Sequence, residues 1–189
     1  MELVLIRHPR PAAADGLCYG SRDLPADSAA LAQCAAAVRP RLDALPGAAN
    51  TRWFSSPLQR CTQLAALLAP EFTCDARLAE MDFGAWEGKP WTAIPRAEVD
   101  CWAADLLHYQ PGGGESVAAA ARRVQSFLDS LRNSADARAV IICHAGTIRL
   151  IAALAGGQPL EQAALHAAAT PHSIAYGEVL LLPLSAKPV

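Results

Sequence analysis

The chain has 189 residues, 52% of them hydrophobic and 18% charged, which excludes a disordered polymer and leaves room for a sizeable core. A length in this range suits one domain spanning residues 1–189. The formal net charge of -2 supplies no global basic field, so neither nucleic acid nor an anionic membrane is an expected partner.

Residues Glu2 to Ile6 are nearly all apolar, as a strand covered on both faces should be. The run is too short for a signal-peptide core and is stopped by Arg7 and His8, then by Pro9 and Pro11. Pro9 to Pro25 reads as a long ordered loop, a kind that is often functional in compact domains. Asp27 or Ser28 is a helix cap, followed by an apolar stripe of Leu31, Cys34, Val38, Leu42 and Leu45 that ends at Pro46-Gly47.

Arg52 to Ser55 is a short strand. Ser56 and Pro57 suit the N-cap and first position of a helix with Leu58, Cys61, Ala65 and Leu68 inward, ended by Pro70. From Phe72 to Pro90 the pattern is irregular, with a strand at Phe72-Thr73-Cys74. A helical segment between Trp91 and Tyr109 leads to Pro111-Gly112-Gly113-Gly114. Glu115 then opens a helix carrying Val117, Ala121, Val124, Leu128 and Leu131 on one face.

Ala139 to Cys143 is a second continuous apolar strand. It runs into His144-Ala145-Gly146 and a helix that ends at Gly156-Gly157. A final strand lies near Glu178 to Leu182. Strands alternating with helices predict a three-layer α/β/α sandwich with a mostly parallel central sheet.

No run reaches the ~18 apolar residues of a membrane span. Cys18, Cys34, Cys61, Cys74, Cys101 and Cys143 are scattered without a CxxC pair. They read as reduced, packed thiols of a cytoplasmic protein. No cofactor is implied. No metal is implied either: His108, His166 and His172 have no carboxylate partner in sequence reach.

Two apolar strands each end in histidine, at Arg7-His8 and at Cys143-His144. As neighbours in a parallel sheet they would place both imidazoles at its carboxyl edge, where open α/β sheets bind ligands. Arg60 falls in the first turn of its helix, where the dipole disfavours a cation, a cost better explained by a bound anion. Arg7 and Arg60 together suit a phosphate, whose oxygens match guanidinium forks.

The segments LIRHPRP, SSPLQRCTQLA, LAEMDFGAWEG, PGGGES and IICHAGTIR, in this order, resemble the histidine phosphatase (phosphoglycerate mutase-like) superfamily. The resemblance implies that His8 attacks phosphorus and that Arg7, Arg60 and His144 complete the phosphate pocket. It also implies that Glu80 protonates the leaving group and then activates water. Composition alone does not separate Glu80 from Asp82 and Glu87.

Such a histidine must be neutral to attack, which neighbouring cations favour, whereas His144 would serve best as a charged donor to bound phosphate. The glycine usual after the Arg-His pair is Pro9 here, which removes one backbone donor. Pro11-Ala12-Ala13-Ala14 offers no polar residue, leaving Gly20 and Ser21 as candidate loop donors.

Within the superfamily, DFGAWEG with PGGGES resembles α-ribazole phosphatases, which implies a small-molecule phosphomonoester as partner. Trp86, Trp91, Trp102, Tyr19 and Tyr109 are candidate stacking residues for its base. The absence of a second basic cluster beyond Arg10, Arg22 and Arg149 favours hydrolysis over a mutase reaction. A broad-specificity or sugar-phosphate phosphatase, or a phosphoglycerate mutase, of the same superfamily is the alternative. Two rivals of other kinds also stay open. One is a cysteine-dependent phosphatase, because Cys143 to Arg149 fits C-x-x-G-x-x-R; the other is an inactive module that only binds phosphorylated ligands. The oligomeric state is not legible.

Overall fold

The computed structural model describes residues 1–12, 15–47, 50–171 and 173–185, so Ala13, Ala14 and His172 lie outside the described residues. A five-stranded sheet is formed by β1 (Glu2–Arg7), β2 (Thr51–Ser55), β3 (Thr73–Cys74), β4 (Arg138–Cys143) and β5 (Val179–Pro183), in the order β3-β2-β4-β1-β5. All pairings are parallel except β1 with β5.

The two apolar runs singled out in the sequence are adjacent central strands, and their alternation divides the core. Leu3, Leu5, Ala139 and Ile141 face a cluster closed by α4 (Val117–Arg132), α5 (Ala145–Ala155) and α6 (Leu160–Ala169). Val4, Ile6, Val140 and Ile142 face a second cluster closed by α1 (Ser28–Asp43) and α2 (Gln59–Leu68). This is the expected three-layer sandwich. Among the described residues no helix is long and apolar enough to cross a membrane.

Several boundaries differ from expectation for physical reasons. Leu58 keeps an extended backbone, so α2 starts at Gln59 rather than at Ser56-Pro57. Ser116, not Glu115, caps α4 by accepting from Ala119 N, while Glu115 pairs with Arg123. The segment expected as one helix between Trp91 and Tyr109 is a 3-10 turn at Trp91–Ala93 followed by α3 (Arg96–Ala104), separated at Pro95. Helix α6 lies in a stretch left unassigned by the sequence patterns.

The two glycine-bearing turns, FGAW and PGGG, interlock. Gly84 (φ +51) and Gly112 (φ +60) face each other so closely that a Cβ on either would lie 2.3 Å from a backbone oxygen of the other turn. Glu115 N donates to Asp82 O at 2.7 Å, which fixes the segment that follows Glu80 against the start of α4.

Candidate active site

The β1–β4 register pairs Arg7 with Cys143, so His8 and His144 leave the sheet side by side at its carboxyl edge. Their ring centroids are 4.9 Å apart, and both side chains are buried. His8 Nδ1 lies 2.6 Å from the Pro9 carbonyl oxygen. A carbonyl only accepts, so Nδ1 carries the proton and Nε2 keeps the lone pair. Burial is the largest cause lowering the His8 pKa, to about 3, and the Arg60 and Arg7 cations add to it. The imidazole is therefore neutral at ordinary pH, as a nucleophile must be.

Arg7 donates from Nη1 to Ile174 O at 2.5 Å, and its guanidinium stacks 4.0 Å from the Tyr176 ring centroid. Arg60 is 0% exposed and gives Nη1 to Arg22 O at 2.8 Å and Nη2 to Gly20 O at 2.7 Å. The buried Nε atoms of Arg7 and Arg60 have no partner among the described residues. Nor does either arginine make an ion pair among them. Two cations beside two neutral imidazoles, with carbonyls but no carboxylate paired to either arginine among the described residues, form a pocket whose chemistry suits an anion.

Glu80 closes the opposite side. Its Oε2 accepts from Gly146 N and its Oε1 from Met81 N, each at 3.0 Å. The rivals are placed elsewhere. Asp82 is exposed and caps its own turn by accepting from Gly84 N, and the Glu87 carboxylate is occupied by backbone donors. Of the three, Glu80 alone lines the cavity that holds His8.

That cavity has a volume of about 450 Å³ and runs from Arg7, His8, Arg60 and His144 to a wall of Tyr19, Phe83, Trp91 and Trp102. Trp86 and Tyr109, expected to stack on a ligand, instead form a separate core cluster with Cys18 and Ile94. The Trp86 indole is spent on Glu98 at 2.5 Å. Gly20 and Ser21 do not line the cavity. Ser21 gives both N and Oγ to Glu87, so its donors are committed there.

His144 is wholly buried, and burial, with His8 and Arg60 nearby, holds its pKa well below the usual histidine range. It is neutral in the unliganded protein; a charged donor form would require the bound anion. Its Nε2 pairs with Ser56 Oγ at 2.8 Å. The local pattern makes Ser56 a helix cap, yet its site role has a sequence signal. It follows β2, a parallel neighbour of β4, and so reaches the same sheet edge as both histidines. Tyr176, whose hydroxyl meets that of Tyr19 at 2.7 Å above the two arginines, carries no such signal.

A match to the histidine phosphatase superfamily (branch 1) model covers residues 3–176. The chain belongs to this superfamily. The "Putative phosphoserine phosphatase 2" of Hydrogenobacter thermophilus is 31% identical over 115 residues, a stretch that is 57% of either chain, little more than half the relative's length. A phosphoglycerate mutase from Thermus thermophilus superposes with a TM-score of 0.70 and 27% identity, over 99% of this chain and 95% of that one. The alpha-ribazole phosphatase of Shigella flexneri has the same fold, with a TM-score of 0.78 at 24% identity over 100% and 99% of the two chains.

The neutral histidine pair is expected to make this superfamily member sensitive to acid. In the unfolded chain both imidazoles take up protons below about pH 6.5, while folded His8 does so only near 3. The unfolded state thus binds more protons across that window. Stability is expected to fall as pH drops from about 6.5, by up to about 1.4 kcal/mol per pH unit for each buried histidine. Urea unfolding at a series of pH values measures this, and a flat midpoint between about pH 7 and 5 contradicts it.

Proposed function

We propose that this protein hydrolyses phosphomonoesters through a phosphohistidine on His8, and that its substrate is α-ribazole 5′-phosphate. The observation that carries the reading is the neutral His8 imidazole, its Nδ1 tied to Pro9 and its Nε2 lone pair free beside Arg7, Arg60 and His144. Nε2 attacks phosphorus while the ester P–O bond breaks, and Glu80 gives its proton to the leaving oxygen. Glu80, now a carboxylate, takes a proton from water. That water attacks phosphorus, the N–P bond breaks, and free His8 and inorganic phosphate result. The arginines and His144 hold the equatorial oxygens throughout.

The aromatic wall of Tyr19, Phe83, Trp91 and Trp102 supports a leaving group with a flat apolar ring system. Beyond the phosphate end, Arg149 is the one cationic side chain lining the cavity among the described residues, and its Nη2 is spent on the Ala168 and Thr170 carbonyls. That suits a substrate without a second anionic group better than 3-phosphoglycerate or phosphoserine.

Brief incubation with 32P-labelled substrate is expected to leave a base-stable, acid-labile phosphoenzyme. No label, with phosphate binding retained, would favour an inactive binding module. Comparison of kcat/KM for α-ribazole 5′-phosphate, phosphoserine, 3-phosphoglycerate and an aryl phosphate tests the substrate; equal values leave a broad-specificity phosphatase. Trp91→Ala is expected to raise KM for the α-ribazole ester about tenfold, through loss of stacking, with little change for phosphoserine.

A further inference from the structure

We propose that Glu87 is a positioning residue for Arg60, acting through the peptide bond between Gly20 and Ser21. The proposal rests on the reading above in one respect, that Arg60 holds the phosphate. Glu87 does not line the cavity, and among the described residues its hydrogen bonds go to Ser21, Arg22 and Phe83 rather than to His8, Glu80, Arg7, Arg60 or His144. Its carboxylate is nonetheless among the most heavily used in the molecule. Oε1 accepts from Ser21 N at 2.8 Å, Ser21 Oγ at 2.9 Å and Phe83 N at 3.0 Å, and Oε2 accepts from Arg22 N at 2.5 Å.

One of these peptide units faces Arg60 on its other side. Ser21 N–H and Gly20 C=O belong to one planar peptide; the N–H donates to Glu87 and the C=O accepts from Arg60 Nη2 at 2.7 Å. The chain Glu87 carboxylate, peptide, Arg60 guanidinium therefore aligns one peptide dipole between an anion and a cation. Each hydrogen bond polarises the other, a cooperative strengthening of roughly 10–30% per bond. Arg22 extends the arrangement, with its N–H on Glu87 and its own C=O accepting from Arg60 Nη1 at 2.8 Å. Asp23 follows, accepting from Gln59 N at 2.7 Å and so fixing the first turn of α2 from which Arg60 projects.

This solves a physical difficulty. Arg60 is wholly buried and makes no ion pair among the described residues, so its charge and direction need support that leaves the phosphate-facing side open. A directly paired carboxylate would compete with the substrate for the guanidinium. A carboxylate one peptide away stabilises the cation without occupying it. The loop cannot shift toward the other side, because a Cβ at Gly20 would already lie 1.8 Å from Met81 O.

The test is a double-mutant cycle on the full chain, read as calorimetric affinity for inorganic phosphate and as kcat/KM for an aryl phosphate. Glu87→Gln is nearly isosteric but cannot accept from both Ser21 N and Arg22 N, and it carries no charge. It is expected to weaken both quantities about tenfold in the wild-type background. In an Arg60→Lys background, where the fork that reads both carbonyls is gone, the loss should shrink below about twofold. Equal losses in both backgrounds, or a lowered unfolding midpoint with unchanged phosphate affinity, overturn the proposal. Should Glu87→Gln not fold, Glu87→Asp replaces it in the same cycle with the same criterion. Wild-type protein that binds phosphate but turns over no phosphomonoester sinks the phosphatase reading, while the phosphate cycle still decides the role of Glu87.

Discussion

Alanine in place of His8 is expected to lower turnover of an aryl phosphate at least about 10⁴-fold and to abolish phosphoenzyme formation, because among the described residues no other group lining the cavity matches its chemistry. His144, the neighbouring imidazole, is wholly buried, with Ser56 on its Nε2. Cys143, the nucleophile of the rival C-x-x-G-x-x-R pattern, lies within β4 with its thiol wholly buried. Burial, with Cys61 and Glu80 nearby, holds that thiol well above the usual cysteine range, the reverse of what a thiolate nucleophile needs. Cys143→Ser should therefore keep turnover within a fewfold. Steady-state assays of the two variants decide the matter: loss on Cys143→Ser with activity retained by His8→Ala would overturn the histidine assignment.

A second large effect is expected from a change that replaces none of the side chains used in the proposed mechanism. A Cβ added at Gly146 would lie 2.4 Å from Glu80 Oε1 and 3.1 Å from Oε2. The obstacle is the end of a flexible side chain, so Glu80 turns away rather than the backbone moving. It then loses the Gly146 N–H that now holds it. Gly146 sits in the first turn of α5, where alanine is the better helix former by up to about 1 kcal/mol. Gly146→Ala should thus unfold no earlier than wild type yet lose about 10²-fold in kcat, the range associated with a displaced general acid. Thermal unfolding and kinetics on the same preparation separate the two effects, and full activity would remove Glu80 from the mechanism proposed here.

The interlocked turns explain why such precision rests on small residues. Glu80 lies between 3-10 turns at Ala76–Leu78 and Gly84–Trp86, a stretch without regular structure of its own. Arg123 donates to the carbonyls of Arg77 and Ala79, and Thr147 Oγ1 donates to Ala79 O at 2.9 Å. The carboxylate is aimed by α4 and α5 together, from outside its own segment.

Local chemistry is enough to read the central strands, because continuous apolar runs such as Leu3 to Ile6 and Ala139 to Cys143 suit only a strand covered on both faces. It also places Arg7, His8 and His144, since residues that end or directly follow parallel strands must emerge at one edge. The order of the five motifs carries the family. What local chemistry leaves open is every choice that depends on contacts far along the chain. Asp82, Glu87 and Glu80 are equivalent carboxyls in one short segment until folding puts Glu80 against Gly146, Asp82 toward solvent and Glu87 behind the Gly20–Ser21 peptide. Ser56 has the pattern of a cap because its partner, His144, is 88 residues away. Trp86 and Trp102 are alike as sequence, yet only Trp102 lines the cavity. Apolar periodicity and motif order thus specify the layers, the sheet edge and the residue types that meet there. Which carboxylate lines the cavity beside His8 is decided in three dimensions, because side-chain direction follows long-range packing rather than local propensity.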